Sequence, residues 1–322
     1  GSPDVVLAFV DTGVDLDHPD LGPLLVPGFN SVDDLPQTAG GDVSDVNGHG
    51  TAVGGSLGAI GNNGIGVAGV GWSFGLMPIK TSNAPGGGAA LSNILQGAEW
   101  AIEQGARAAS ASYTGVQAAA VQDSGAYIRS LGGIFLYAAN NNAEDHAGFD
   151  WPDVVVVGAT DPSDGKAGFS SFGLGVDLFA PGVAIRTTTN GGGYGDVSGT
   201  SFATPIANGA LGLLWSIDPT LTSLEVEQIL SLTAEDKGEP GNDAFWGWGR
   251  IDLRRAAEVA AGLGTPQPPV AIDDAAVTAT GYEVQVDVLA NDYDLNLDPV
   301  TIASVDATTA LGGTVEIEPG AG

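Results

Sequence analysis

A doubly wound α/β domain is what this sequence predicts, on three observations. Short apolar runs alternate with Ala-rich stretches of helical length up to Ala261, the pattern of βαβ units around a parallel sheet. The runs are nearly continuous rather than alternating, as strands covered on both faces should be. With 43% apolar residues among 322, the chain has material for one large domain and a smaller one.

In chain order, a first strand over Val5–Val10 delivers Asp11-Thr12-Gly13, and a small-residue helix is expected over Thr51–Ala59. Strand Gly75–Thr81, helix Leu91–Gln104, strand Ala106–Ser112, helix Val116–Leu131 and strand Gly133–Ala139 follow in alternation. Val154–Ala159 and Val176–Ala180 complete the sheet. Thr200–Ser216, Ser223–Leu232 and Arg254–Ala261 read as closing helices. Composition then changes: Gly264–Pro269 (Gly-Thr-Pro-Gln-Pro-Pro) is a semi-rigid linker. We therefore expect domains at 1–263 and 270–322, the second without a convincing helix.

Composition also excludes functions. Against 39 Asp+Glu stand 9 Lys+Arg, a formal charge of −30, which argues against nucleic acid or an anionic membrane as partner because both need a basic footprint. Such a surface suits high salt, where self-repulsion is screened. The absence of cysteine removes disulfides, thiolate metal sites and cysteine nucleophiles, and three histidines make a multi-His metal site a poor reading. No run is long enough to insert in a membrane, and Gly1-Ser2-Pro3-Asp4 has no signal-peptide character.

Three Gly-flanked motifs carry the chemistry. Asp11 stands where a strand breaks, and ligand crevices in such sheets lie beyond the strands' carboxyl ends. Asn47-Gly48-His49-Gly50-Thr51 opens one helix and Ser198-Gly199-Thr200-Ser201-Phe202-Ala203-Thr204-Pro205 opens another. Singly, these are ordinary turn and cap residues. Together they supply a serine, an imidazole to take its proton, and a carboxylate to fix the imidazole's tautomer.

Around all three motifs the chain resembles the subtilisin-like serine proteases. Asp11-Thr12-Gly13-Val14-Asp15 with His18-Pro19-Asp20-Leu21 is similar to their aspartate box, His49-Gly50-Thr51 to the histidine box, and Gly199–Pro205 to the serine box. The resemblance covers roughly residues 3–262 and includes Phe169–Gly173, Ala180-Pro181-Gly182 and Gly247–Asp252. It implies Asp11, His49 and Ser201 as the triad. Asn141 would be the oxyanion donor with the Ser201 N–H, and Asn140 the second choice. It also implies that Ser112-Tyr113-Thr114 forms a wall of the primary pocket and that Gly86-Gly87-Gly88 is an edge pairing with extended substrate. Leu91 and Ile94 either line a further pocket or are plain core. Ala52 replaces a second histidine common in the family, and the family's folding propeptide would be a partner that this sequence does not include, either trimmed off or dispensed with.

Calcium is the implied cofactor, with no organic one. Asp20, the side chain of Asn63 and the carbonyls of Gly61, Ile65 and Val67 resemble the family's calcium loop and suit the hard-oxygen preference of the ion, although the family's N-terminal ligand has no match in this sequence; the alternative is a plain Gly/Asn turn. In the tail, Pro269–Asp274, Val286–Asp294 and Asp298-Pro299-Val300-Thr301 resemble part of a bacterial cadherin-like β-sandwich repeat. Asn291, Asp292, Asp294 and Asp298 there are either calcium ligands or solvated turn residues. The expected function is a secreted or cell-surface serine endopeptidase acting on protein or peptide substrates. Two alternatives fit the same residues: a non-catalytic adhesion protein built on this scaffold, and a processing protease with one cognate substrate.

Overall fold

The computed structural model describes residues 1–262 and, beyond them, 269, 271, 276–278, 281–289, 292, 294, 300–305 and 314–317. Its contacts divide the chain into two units, Gly1–Ala261 and Gly262–Gly322. No helix or strand forms among the described residues of the second unit.

The first unit is an eight-stranded sheet with β1 (Val6–Asp11) near its middle. In chain order come β2 (Phe29–Asn30), β3 (Leu35–Pro36), α1 (His49–Gly58), β4 (Gly75–Lys80), α2 (Leu91–Glu103), β5 (Ala108–Ala111), α3 (Ala119–Ser130), β6 (Ile134–Ala138), β7 (Val154–Thr160) and β8 (Leu178–Pro181). The spatial order is β3-β2-β4-β1-β5-β6-β7-β8. All neighbours are parallel except β2 with β3. A separate hairpin, β9 (Ile185–Thr189) with β10 (Gly193–Val197), precedes α4 (Thr200–Ile217), α5 (Ser223–Leu232) and α6 (Leu253–Ala260). This is the doubly wound sheet that the apolar runs predict. Every residue of β4, β5, β6 and β7 is buried, because α2 and α3 lie against one face and α1 and α4 pack together against the other.

The chain runs from β1 to β4 on one side and then to β5 on the other, so the order reverses beside β1. In open α/β sheets ligands bind at that switch point, outside the carboxyl ends of the strands. The ends concerned are Asp11 on β1, Ala111 on β5 and Ala138 on β6.

Boundaries differ from the expected ones for local reasons. Helix α1 starts at His49 rather than Thr51. The sheet's last strand starts at Leu178 rather than Val176, and the Asp177 carboxylate takes the Val156 N–H at 2.7 Å. Gly115, at φ 103°, turns the chain so that α3 begins at Ala119 rather than Val116. Asp252 caps α6, accepting from Arg254 N and Arg255 N at 3.0 and 3.1 Å, so that this helix opens at Leu253. The β9–β10 hairpin was not expected. Its turn, Asn190-Gly191-Gly192, has both glycines at positive φ (83° and 73°), the backbone that hairpin turns favour.

Candidate active site

Asp11 is the last residue of β1 and its side chain is fully buried, whereas His49 at the first position of α1 keeps 32% of its side chain exposed. His49 Nδ1 lies 2.8 and 3.0 Å from the two Asp11 carboxylate oxygens, and Thr12 N donates to the same carboxylate at 2.8 Å. The Asp11 charge holds the His49 imidazole above its ordinary value; burial opposes this, and the Asp45 charge adds to the rise. One nitrogen is thus committed to Asp11, leaving Nε2 for another partner. The Phe202 ring, next in sequence to Ser201, sits 5.4 Å from the His49 ring. No hydrogen bond joins His49 to Ser201 in the resting arrangement; catalytic hydrogen bonds are often long until substrate is bound.

Ser201 occupies the first turn of α4, where backbone N–H groups have no helical acceptor and the dipole favours an anion. Pro205 has no N–H to return to the Ser201 carbonyl. The Ser112 hydroxyl donates to that carbonyl instead, at 2.9 Å. Pro205 therefore frees a group through which the end of β5 grips the first turn of α4. Deeper in the helix, the buried Asn208 amide donates to Ala8 O at 3.0 Å and Ser110 Oγ at 3.1 Å, tying α4 to β1 and β5.

A cleft of about 350 Å³ lies in front of Ser201. It brings together Gly86, Gly87, Gly88, Ser112, Tyr113 and Thr114, all expected as substrate contacts, with Asn140, Asn141 and Ser201. Leu91 and Ile94 line it too, and Ile94 is also core, only 1% exposed; the two readings of that residue coincide. Asn141 is exposed. Its side-chain oxygen accepts from Thr200 N at 2.8 Å and Thr200 Oγ1 at 3.1 Å, which leaves the amide nitrogen free. Asn140 is buried and left-handed, φ 78°, a backbone suited to glycine or asparagine. The buried His146 supports this turn, its Nε2 donating to Ala139 O at 2.7 Å.

Sequence reasoning missed Asp45. Its carboxylate accepts from Thr12 Oγ1 (2.8 Å), Asn47 N (2.9 Å) and Gly48 N (2.8 Å) on one oxygen, and from Thr51 N (2.8 Å) and Thr51 Oγ1 (2.7 Å) on the other. Burial pushes this carboxyl up, but the donors together hold it below the usual carboxylate range. Asp45 thus clamps the start of the histidine helix to the residue that follows Asp11. An acid four residues before a helical histidine was the available signal.

Asp20 is fully buried. It accepts from Asn63 Nδ2 at 2.6 Å and Val67 N at 3.1 Å. A side chain at Gly66 would run into the Asp20 carboxylate and the Tyr194 ring. Among the described residues no cationic side chain pairs with Asp20, and a buried carboxylate of that kind fits a hard cation; Asn63 Oδ1 would join it only by giving up the bond it accepts from Ile65 N at 3.2 Å. Gly61, Ile65 and Val67 belong to the same loop. Among the described residues no three His, Asp or Glu side chains gather as a metal site. In the tail Asp294 is buried and Asp292 donates its N–H to Leu289 O, while Asn291 and Asp298 lie outside the described residues. Among the described residues no helix is long and apolar enough to cross a membrane.

Comparison with known proteins agrees with this geometry. Residues 266–322 match the bacterial Ig domain family, in line with the β-sandwich resemblance of the tail. Alkaline elastase YaB of Bacillus sp. (strain YaB) is 33% identical over 259 residues, 78% of this chain and 64% of that protein. Subtilisin BL of Lederbergia lenta is 35% identical over 256 residues, covering 78% of this chain and 90% of the relative. Subtilisin Savinase of the same organism matches to the same extent. The Subtilase family model matches residues 2–249, and the chain belongs to the subtilase family of serine peptidases.

Proposed function

We propose that the chain is a serine endopeptidase that cuts peptide bonds through an acyl-enzyme intermediate. The observation that carries this reading is the Asp11–His49 pair, 2.8 Å apart, at the carboxyl edge of the sheet that also presents Ser201 at a helix N-terminus. In the mechanism, His49 takes the Ser201 proton as Oγ attacks the substrate carbonyl, and Asp11 stabilises the imidazolium. The carbonyl oxygen becomes an anion, received by the free Asn141 amide nitrogen and the Ser201 N–H. Collapse expels the amine, which takes the proton from His49, and water then releases the acid by the same route. Removing a single oxyanion donor costs on the order of 10²–10³ in rate, so Asn141→Ala should lower kcat by that factor with KM nearly unchanged.

The test is labelling of the purified chain with a fluorophosphonate, followed by peptide mapping. Label on Ser201, lost in Ser201→Ala, is expected; stoichiometric label retained in that variant would remove Ser201 from its role.

Calcium belongs to the proposal as a structural ion. Asp20, Asn63 and the carbonyls of Gly61, Ile65 and Val67 would hold it, and it would neutralise the buried Asp20 and lock the loop. EDTA should lower Tm in the parent chain and leave Tm unchanged in Asp20→Asn. Equal loss in both would move the ion elsewhere. Location at the cell exterior is also proposed, supported by the bacterial Ig match; cell fractionation with an antibody to the chain tests it.

A further inference from the structure

We propose that Asn140 makes the cleft selective for a carboxamide side chain, glutamine or asparagine, on the substrate residue whose carbonyl is attacked. The inference deepens the peptidase reading and rests on it. Five side-chain polar atoms are buried without a hydrogen-bond partner among the described residues, and two of them, Asn140 Oδ1 and Tyr113 Oη, belong to residues lining this cleft. Thr114 is exposed to solvent, and other polar groups of the wall are spoken for. Ser112 Oγ donates to Ser201 O, and Asn141 Oδ1 accepts from Thr200. The Asn141 amide nitrogen and Ser201 Oγ are assigned to the reaction. Tyr113's hydroxyl stands near Thr81 and Asp11, on the triad side. What remains is the Asn140 amide, 93% buried given its 7% exposure, with neither end paired within the protein.

Asn140 immediately precedes Asn141, about 3.8 Å away between Cα atoms. A carbonyl oxygen received by Asn141 sets its own residue's side chain in the cleft that Asn140 also lines. An apolar side chain there would leave a buried amide unpaired. An ammonium or carboxylate would enter a cleft whose lining residues are all uncharged, with no counter-ion to offset its desolvation. A carboxamide carries one donor and one acceptor edge and pairs with another amide through both.

The experiment uses the full chain and two peptide p-nitroanilides that differ only in the residue acylating the serine, glutamine or its near-isostere methionine. A site that hydrogen-bonds a substrate group rejects the analogue lacking it. We expect kcat/KM to favour glutamine by at least about tenfold. Asn140→Gly, which the φ of 78° accommodates, should bring the ratio to about one. Loss of site assembly would lower both rates together and leave the ratio intact. Asn140→Asp keeps the left-handed backbone and should move preference from glutamine to lysine. A parent chain that cuts the methionine peptide as fast as the glutamine one overturns the inference, as does a ratio unmoved in Asn140→Gly. If Ser201 takes the fluorophosphonate, that failure touches specificity alone; no label and no turnover would overturn the peptidase reading and this inference with it.

Discussion

His49 Nδ1 faces a fully buried carboxylate, and this sets the pH at which it would act as the proposed base. Only neutral imidazole accepts the serine proton, and the Asp11 charge, working against burial and with help from Asp45, raises the His49 value above the ordinary 6.5. The labelling rate of Ser201 should therefore climb with pH along a limb centred above pH 6.5. Asp11→Asn removes the raising charge, so its limb should fall to lower pH while the plateau drops by a factor on the order of 10⁴. A rate flat from about pH 5 to about pH 9 would exclude His49 as the base. The residues proposed as the triad stood out in the sequence because each lies in its own short motif. The separate characters of Asn140 and Asn141 were not: adjacent identical residues differ only once the left-handed turn at Asn140 buries one side chain and exposes the other.

At the level of elements, the site is a set of strand ends and helix starts pinned to one another. Asp45 is the pin between β1 and α1. Asp45→Ala leaves Thr12 Oγ1, Asn47 N, Gly48 N and Thr51 N without this acceptor, while Thr51 Oγ1 keeps Asn190 Oδ1; a buried unpaired group costs about 1–3 kcal/mol, and less where solvent reaches it, as at exposed Asn47. That variant should melt well below the parent and lose labelling rate, and Asp45→Asn, which keeps one acceptor oxygen, should recover part of both. Equal Tm and equal labelling rate in parent and Asp45→Ala would show that α1 holds His49 without this clamp. The hairpin braces the same helix from behind: Thr187 Oγ1 donates to Ala52 O at 2.8 Å and Thr188 Oγ1 to Thr51 O at 2.7 Å. Periodicity exposed the buried central strands because they are covered on both faces. It passed over β9, where Arg186 and three threonines break the apolar run and two of its five residues are buried; the close approach of Gly55 to Thr187 and Thr188 has no signature in the sequence.

For the whole molecule, a formal charge of −30 on 322 residues is the dominant electrostatic fact. With so few bases, most carboxylates repel one another, and salt relieves that repulsion within a Debye length of about 10 Å at 0.1 M and about 3 Å at 1 M. Tm should rise as NaCl is increased from low concentration toward 1 M, and a fall over that range would mean that the few ion pairs outweigh the general repulsion. The expectation of a domain boundary rests at this scale too, on the Pro-rich composition of Gly264–Pro269.

The strand order has a consequence in time as well as in space. β1 is flanked by β4 and β5, so the strand bearing Asp11 has no place to lie until the chain beyond Gly75 and Ala108 has formed its partners. Ser201 arrives later still, on a helix that packs across β1, β5, β6, β7 and β8. Long-range pairing of this kind makes folding slow. It also means that no fragment ending before Ser201 holds Asp11, His49, Asn141 and Ser201 together, so the proposed peptidase site needs nearly the whole first unit before it can assemble.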